Sequence, residues 1–180
     1  MGGGQVGSGT PSATSVSEKV LRERLRNAIE DALNALYKKL GCRALFGGPI
    51  GPEEVLGRIG TEALGEYGRF DFASMPVMPG VSPNSFSVTS AVITPLGTRQ
   101  VPDGFGGSMG VTSTVQIMIN STSGSFVSGS DTDRAVTILH ELGHAFNMIN
   151  ALGGAPGIVS DARNVSLSEG NTKRIKDACF

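Results

Sequence analysis

The chain has two histidines, His140 and His144, four residues apart, with Glu141 directly after the first. Scattered over 180 positions, two histidines and a following glutamate would take this HExxH spacing in about one arrangement in two thousand. On a helix the spacing has a mechanical meaning. Residues i and i+4 lie one above the other on the same face, so two imidazoles close on one metal ion. Glu141 is carried roughly 100° around the axis and stays out of the ligand set, where a carboxylate beside a metal-activated water acts as a general base. The competing explanation is a core helix whose histidines are satisfied by hydrogen bonds alone.

The surrounding residues predict that helix. Ser130 and Asp133 have capping-box spacing, with aspartate in place of glutamate, and Asp131 and Asp133 put negative charge in the first turn. Ala135, Ile138, Leu139, Leu142, Ala145, Phe146 and Ile149 form a broad apolar stripe that predicts packing along the whole length, with both histidines beside the stripe. The helix is expected to stop near Gly153-Gly154, ahead of Pro156. An irregular stretch to Asn164 follows. Ser166 with Glu169 announces a last helix from Leu167 to about Ala178.

A catalytic zinc site takes three protein ligands plus water, so one more donor is needed. No third histidine exists, and three acids lie downstream: Asp161, Glu169 and Asp177. Glu169 has another explanation as the capping partner of Ser166, and Asp177 falls in the last turn beside Cys179. Asp161 lies in the loop between the two helices, seventeen residues after His144, far enough for the chain to turn back. Asp161 is therefore preferred over Glu169, with a role as a turn or N-cap acid as its alternative. Tyr67 and Arg163 are the candidates for a second oxyanion donor, and each has an equally good reading as a packing or surface residue.

Upstream, the pattern from Ser15 to Leu40 is helical. Leu21, Leu25, Ala28, Ile29, Ala32, Leu36 and Leu40 share one stripe, Ser15 and Glu18 resemble a capping box, and Gly41 supplies a stop. Pro52-Glu53-Glu54 opens a shorter helix with Val55, Leu56, Ile59 and Ala63 inward. From Gly68 to about Gly129 the texture becomes Gly, Ser, Thr and Pro with short β-branched runs. Phe86–Ile93 and Val111–Asn120 are predicted strands, and Pro102-Asp103-Gly104 and Ser123-Gly124 predicted turns. Met75, Met78 and Met109 are expected to fill core or loop space. Asn120-Ser-Thr and Asn164-Val-Ser match glycosylation sequons.

The composition narrows the partners. With 39% hydrophobic residues and a net charge of −1, one domain over residues 16–180 is expected, with no pull toward nucleic acid or an anionic membrane. The first fifteen residues lack the charged start and apolar run of a signal peptide and read as a flexible leader. Cys42 and Cys179 would form one disulfide in a secreted chain and remain two buried thiols in a cytosolic one; pinning the C-terminal helix favours the bond.

His140-Glu141-Leu142-Gly143-His144 resembles the active-site helix of the zincin metallopeptidases. The resemblance implies an α+β fold with N-terminal backing helices, a small mixed sheet with an edge strand before the HExxH helix, and a short C-terminal helix. It also implies that Val115–Asn120 is that edge strand, pairing with an extended peptide or protein substrate. The metzincin extension fails, because Asn147 replaces its glycine and Asn150 its third histidine. The segment from Ser160-Asp161 to Cys179-Phe180 resembles the tails of short exported bacterial proteins carrying HExxH, which implies Asp161 as third ligand and a disulfide. The deuterolysin-type GTxDxxYG sequence is missing. The expected function is thus a secreted or periplasmic, monomeric zinc peptidase in which His140, His144 and Asp161 hold Zn2+ and Glu141 is the general base. The alternative is a non-catalytic metal-binding or adhesion domain on the same scaffold.

Overall fold

The computed structural model describes residues 16–61, 65–73, 91–162 and 164–180. The leader over residues 1–15, Ala63, Met75, Met78, Arg163 and the start of the strand expected from Phe86 lie outside the described residues. Six α-helices and one three-stranded mixed sheet are present among them, an α+β architecture.

Helix α1 (Glu18–Lys38) is capped by Ser17, whose hydroxyl accepts from the Val20 amide, and not by Ser15. Its stripe of Leu21, Ala28, Ile29, Ala32, Ala35 and Leu36 is buried. Leu40 departs from the expected stripe. Helix α1 ends at Lys38, and Leu40 begins the four-residue helix α2 (Leu40–Arg43) with 82% of its surface exposed. The break turns the chain and carries Cys42 inward. Helix α3 (Pro52–Ile59) starts on its proline, with Glu53 and Glu54 in the first turn and Val55, Leu56 and Ile59 fully buried.

The sheet contains β1 (Gly68–Ala73), β2 (Ala91–Pro102) and β3 (Ser108–Asn120) in the order β1-β3-β2. β2 and β3 form a long antiparallel hairpin, while β1 runs parallel to β3 with Phe70 opposite Ile117. This corrects the expected edge strand: Val115–Asn120 lies in the centre of the sheet, with both its hydrogen-bonding edges taken. Val115, Ile117 and Ile119 point to one face at period two and are fully buried. At the hairpin turn, Asp103 accepts from the amides of Phe105 and Gly107, and Gly104 and Gly106 take positive φ. Met109, expected to fill space, is 52% exposed beside this turn.

Ser123-Gly124 does not make a simple turn, because Ser123 leads into the short helix α4 (Gly124–Val127). Helix α5 (Asp131–Met148) begins with the expected capping box: Ser130 Oγ accepts from the Asp133 amide, and the Asp133 carboxylate accepts from the Ser130 amide. It packs against α1, α4 and α6 and also meets β2 and β3. Accordingly every residue from Arg134 to Phe146 except His144 is buried. The helix stops at Met148, before the expected glycines. A 3-10 turn (Asn150–Leu152) intervenes, and Gly153 and Gly154, with φ of +82° and +83°, then turn the chain.

Helix α6 (Val165–Cys179) starts two residues earlier than expected because Asn164 is the N-cap, accepting from the Leu167 amide. Its end is bonded to α2 through the Cys42–Cys179 disulfide, both cysteines being buried. Asn120 is 2% exposed and holds the amide and hydroxyl of Thr122, so that sequon is inaccessible. No helix among the described residues is long and apolar enough to cross a membrane.

Candidate metal centre

The helical spacing brings the two imidazoles together as the sequence predicts. The ring centroids of His140 and His144 are 4.9 Å apart and the rings are tilted by 50°. Both Nε2 atoms face the same carboxylate. Asp161 Oδ2 lies 2.8 Å from His140 Nε2, and its Oδ1 lies 3.0 Å from His144 Nε2. Among the described residues these three are the group of acid, thiol and imidazole side chains able to hold a metal ion, with ligand atoms within 4.8 Å of one another.

Glu169 does not join them. It lies exposed on α6, and the N-cap role expected of its partner Ser166 belongs to Asn164, Ser166 being already inside the helix. Asp177 is engaged with Lys173 at the surface. Tyr67 is packed in the apolar core with the Arg58 guanidinium 5.6 Å over its ring.

The electrostatics fit a cation site. Burial works to raise the Asp161 pKa, but the hydrogen bonds and charge of His140 and His144 outweigh it and hold the carboxyl far below the usual carboxylate range. Burial likewise works to lower the His144 pKa, yet the bond to Asp161 and the charges of Glu141 and Asp161 raise it above its ordinary value.

Glu141 is different. It is buried, and its carboxylate makes no hydrogen bond among the described residues. Burial pushes its pKa up, and the neighbouring imidazoles only partly offset this. The residue is 8% exposed, and its carboxylate oxygens are not among the sealed side-chain atoms without a partner.

Two nitrogens and one oxygen suit a divalent ion of intermediate softness, and the geometry can be tested. Ligand atoms about 2.1 Å from a tetrahedral ion stand roughly 3.4 Å apart. The Asp161 contacts at 2.8 and 3.0 Å would open by about 0.5 Å, and the ligand atoms, which lie within 4.8 Å of one another, would draw toward that spacing. The residues fit the ion.

The loop that delivers Asp161 is fixed from α5 by Asn147. Its amide donates to the Ile158 carbonyl at 2.9 Å and accepts from the Ala155 amide at 2.8 Å. From α6, Asn171 donates to Asp161 Oδ2 at 3.2 Å, and Thr172 Oγ1 lies 3.3 Å from His140 Nδ1. The sequence reading singled out none of these three as site residues. Asn147 stands where metzincins place glycine, and that departure from the motif was the available signal. Comparisons with protein-family models, curated proteins and solved structures return no match, so the geometry alone carries the functional reading.

Proposed function

We propose that the protein is a zinc-dependent peptidase, with His140, His144 and Asp161 as the metal ligands and Glu141 as general base. The observation that carries this reading is a three-donor site with the Glu141 side chain on the same helix, directly after one of its ligands. A purely structural zinc site is closed by four protein ligands, whereas three donors leave a position open for chemistry.

Zinc held there supplies a Lewis acid that makes water a competent nucleophile near neutral pH and stabilises negative charge on a carbonyl oxygen. The chain supplies the rest. Glu141 takes the proton of the attacking water and passes it to the departing amine, which needs a group whose proton affinity lies between the two. The burial that raises its pKa moves it in that direction. Asp161 keeps negative charge in the ligand set, and His140 and His144 hold their ring nitrogens toward it.

The proposed substrate is a peptide or protein segment in extended conformation. β3 offers it no free edge, so recognition has to come from another segment. The disulfide is compatible with an extracellular or periplasmic site of action. Glu141→Gln tests the reading: zinc should remain bound at one per chain, while hydrolysis of a diverse peptide library falls by at least about a hundredfold. A wild-type protein loaded with zinc that cleaves no peptide in that library overturns it.

A further inference from the structure

We infer that Asn171 and Thr172, neighbours on α6, are positioning residues of this centre, Asn171 for Asp161 and Thr172 for His140; the inference rests on the metal-binding reading above. Asn171 is fully buried, and its amide is completely used. Nδ2 donates to the Val159 carbonyl at 2.8 Å and to Asp161 Oδ2 at 3.2 Å. Oδ1 accepts from the Val159 amide at 3.1 Å and from Arg174 at 3.0 Å. The paired bonds to Val159 hold the backbone two residues before Asp161 as a neighbouring strand would, and the remaining N–H aims at the carboxylate itself. One side chain thus sets both where the loop lies and how its carboxylate turns.

Thr172 acts on the other ligand. An imidazole that coordinates through Nε2 must carry its proton on Nδ1, and that N–H requires an acceptor. Thr172 Oγ1 is the group beside His140 Nδ1. Accepting that proton fixes the tautomer and ring plane that leave Nε2 facing Asp161. Adjacent residues on one helix therefore serve two ligands from different elements, coupling the α5 face to the 155–161 loop.

Co(II) titration of the full chain, followed by its visible absorption, tests this. Thr172→Val preserves shape and removes the acceptor; it should weaken Co(II) binding by about 10–100-fold and alter the absorption of the bound ion, with the melting temperature unchanged. Thr172→Ser should restore both. Asn171→Asp keeps the acceptor for the Val159 amide but removes the donors to the Val159 carbonyl and to Asp161 and adds a like charge beside Asp161, with a loss at least as large. If Asn171→Asp fails to fold, the half-buried Thr172 variants decide. Wild-type binding by Thr172→Val, or a Thr172→Ser protein as weak as Thr172→Val, overturns the inference while leaving the metal site intact. No Co(II) binding by the wild type overturns the inference together with the metal-binding reading.

Discussion

Gly143 and Ile158 are so close that a β-carbon added to Gly143 would lie 2.2 Å from Ile158 Cδ1, 2.8 Å from its Cγ2 and 2.9 Å from its Cβ. The Ile158 Cβ is fixed by the backbone, so a rotamer change alone cannot relieve the clash. Ile158 belongs to the segment that Asn147 and Asn171 fix and that ends in Asp161. The small residue inside the histidine motif lets the loop that carries Asp161 lie against the helix. In an open helix Gly→Ala stabilises by about 1 kcal/mol. Here we predict the opposite sign: Gly143→Ala should lose about 1–3 kcal/mol in urea denaturation and bind zinc more weakly, because overpacking moves the loop. A variant as stable as the wild type with the same zinc affinity would contradict this.

Asp133 ties the start of α5 to α6. Its carboxylate accepts from Ser130 and, at 2.8 Å, from Lys176 Nζ. Burial works to raise its pKa, but these hydrogen bonds and the Lys176 charge outweigh it, so the folded value lies below 3.8. A depressed carboxyl contributes stability that is fully present above its unfolded pKa and lost as the pH falls through the folded one. We predict that Asp133→Asn is less stable than the wild type at pH 7 by roughly 0.5–1 kcal/mol, a modest figure because the partner lysine is partly exposed. The difference should shrink as the pH drops below 3.8. Urea denaturation as a function of pH checks it, and a difference independent of pH would refute the assignment.

The Cys42–Cys179 bond closes a loop across a sequence separation of 137. Chain entropy alone puts its contribution at about 5 kcal/mol, and measured losses for native disulfides run from about 2 to 5 kcal/mol. Replacing both cysteines by alanine should lower stability within that range. It should also weaken zinc binding, since α6 then keeps Asn171 and Thr172 in place with one anchor fewer. Equal zinc affinity in the disulfide-free protein would show that the bond serves stability alone.

Much of the centre was legible because it is local. The spacing of His140 and His144, the Ser130–Asp133 capping box and the lone loop acid Asp161 are each written within a few residues. The rest depends on pairing between distant segments. β1, with Arg69 and Asp71 interleaved with Phe70 and Phe72, is too short to stand out in sequence. Its parallel pairing with β3 is what turns the expected edge strand into the central one. The roles of Asn147 and Asn171 were equally hidden, because an asparagine's partners are set by tertiary approach. Leu40 fitted a helical stripe that the chain abandons at Lys39, where the backbone becomes extended before α2.

The central claim is that one divalent cation is held by two imidazoles and a single downstream carboxylate. Metal analysis of desalted protein after incubation with Zn2+ tests it most directly, on the wild type, Asp161→Ala and Glu169→Ala. The account predicts one zinc per chain in the wild type and in Glu169→Ala, and a loss of at least tenfold in affinity for Asp161→Ala. A wild type that retains no zinc, or an Asp161→Ala protein that retains it as firmly as the wild type, would contradict the account.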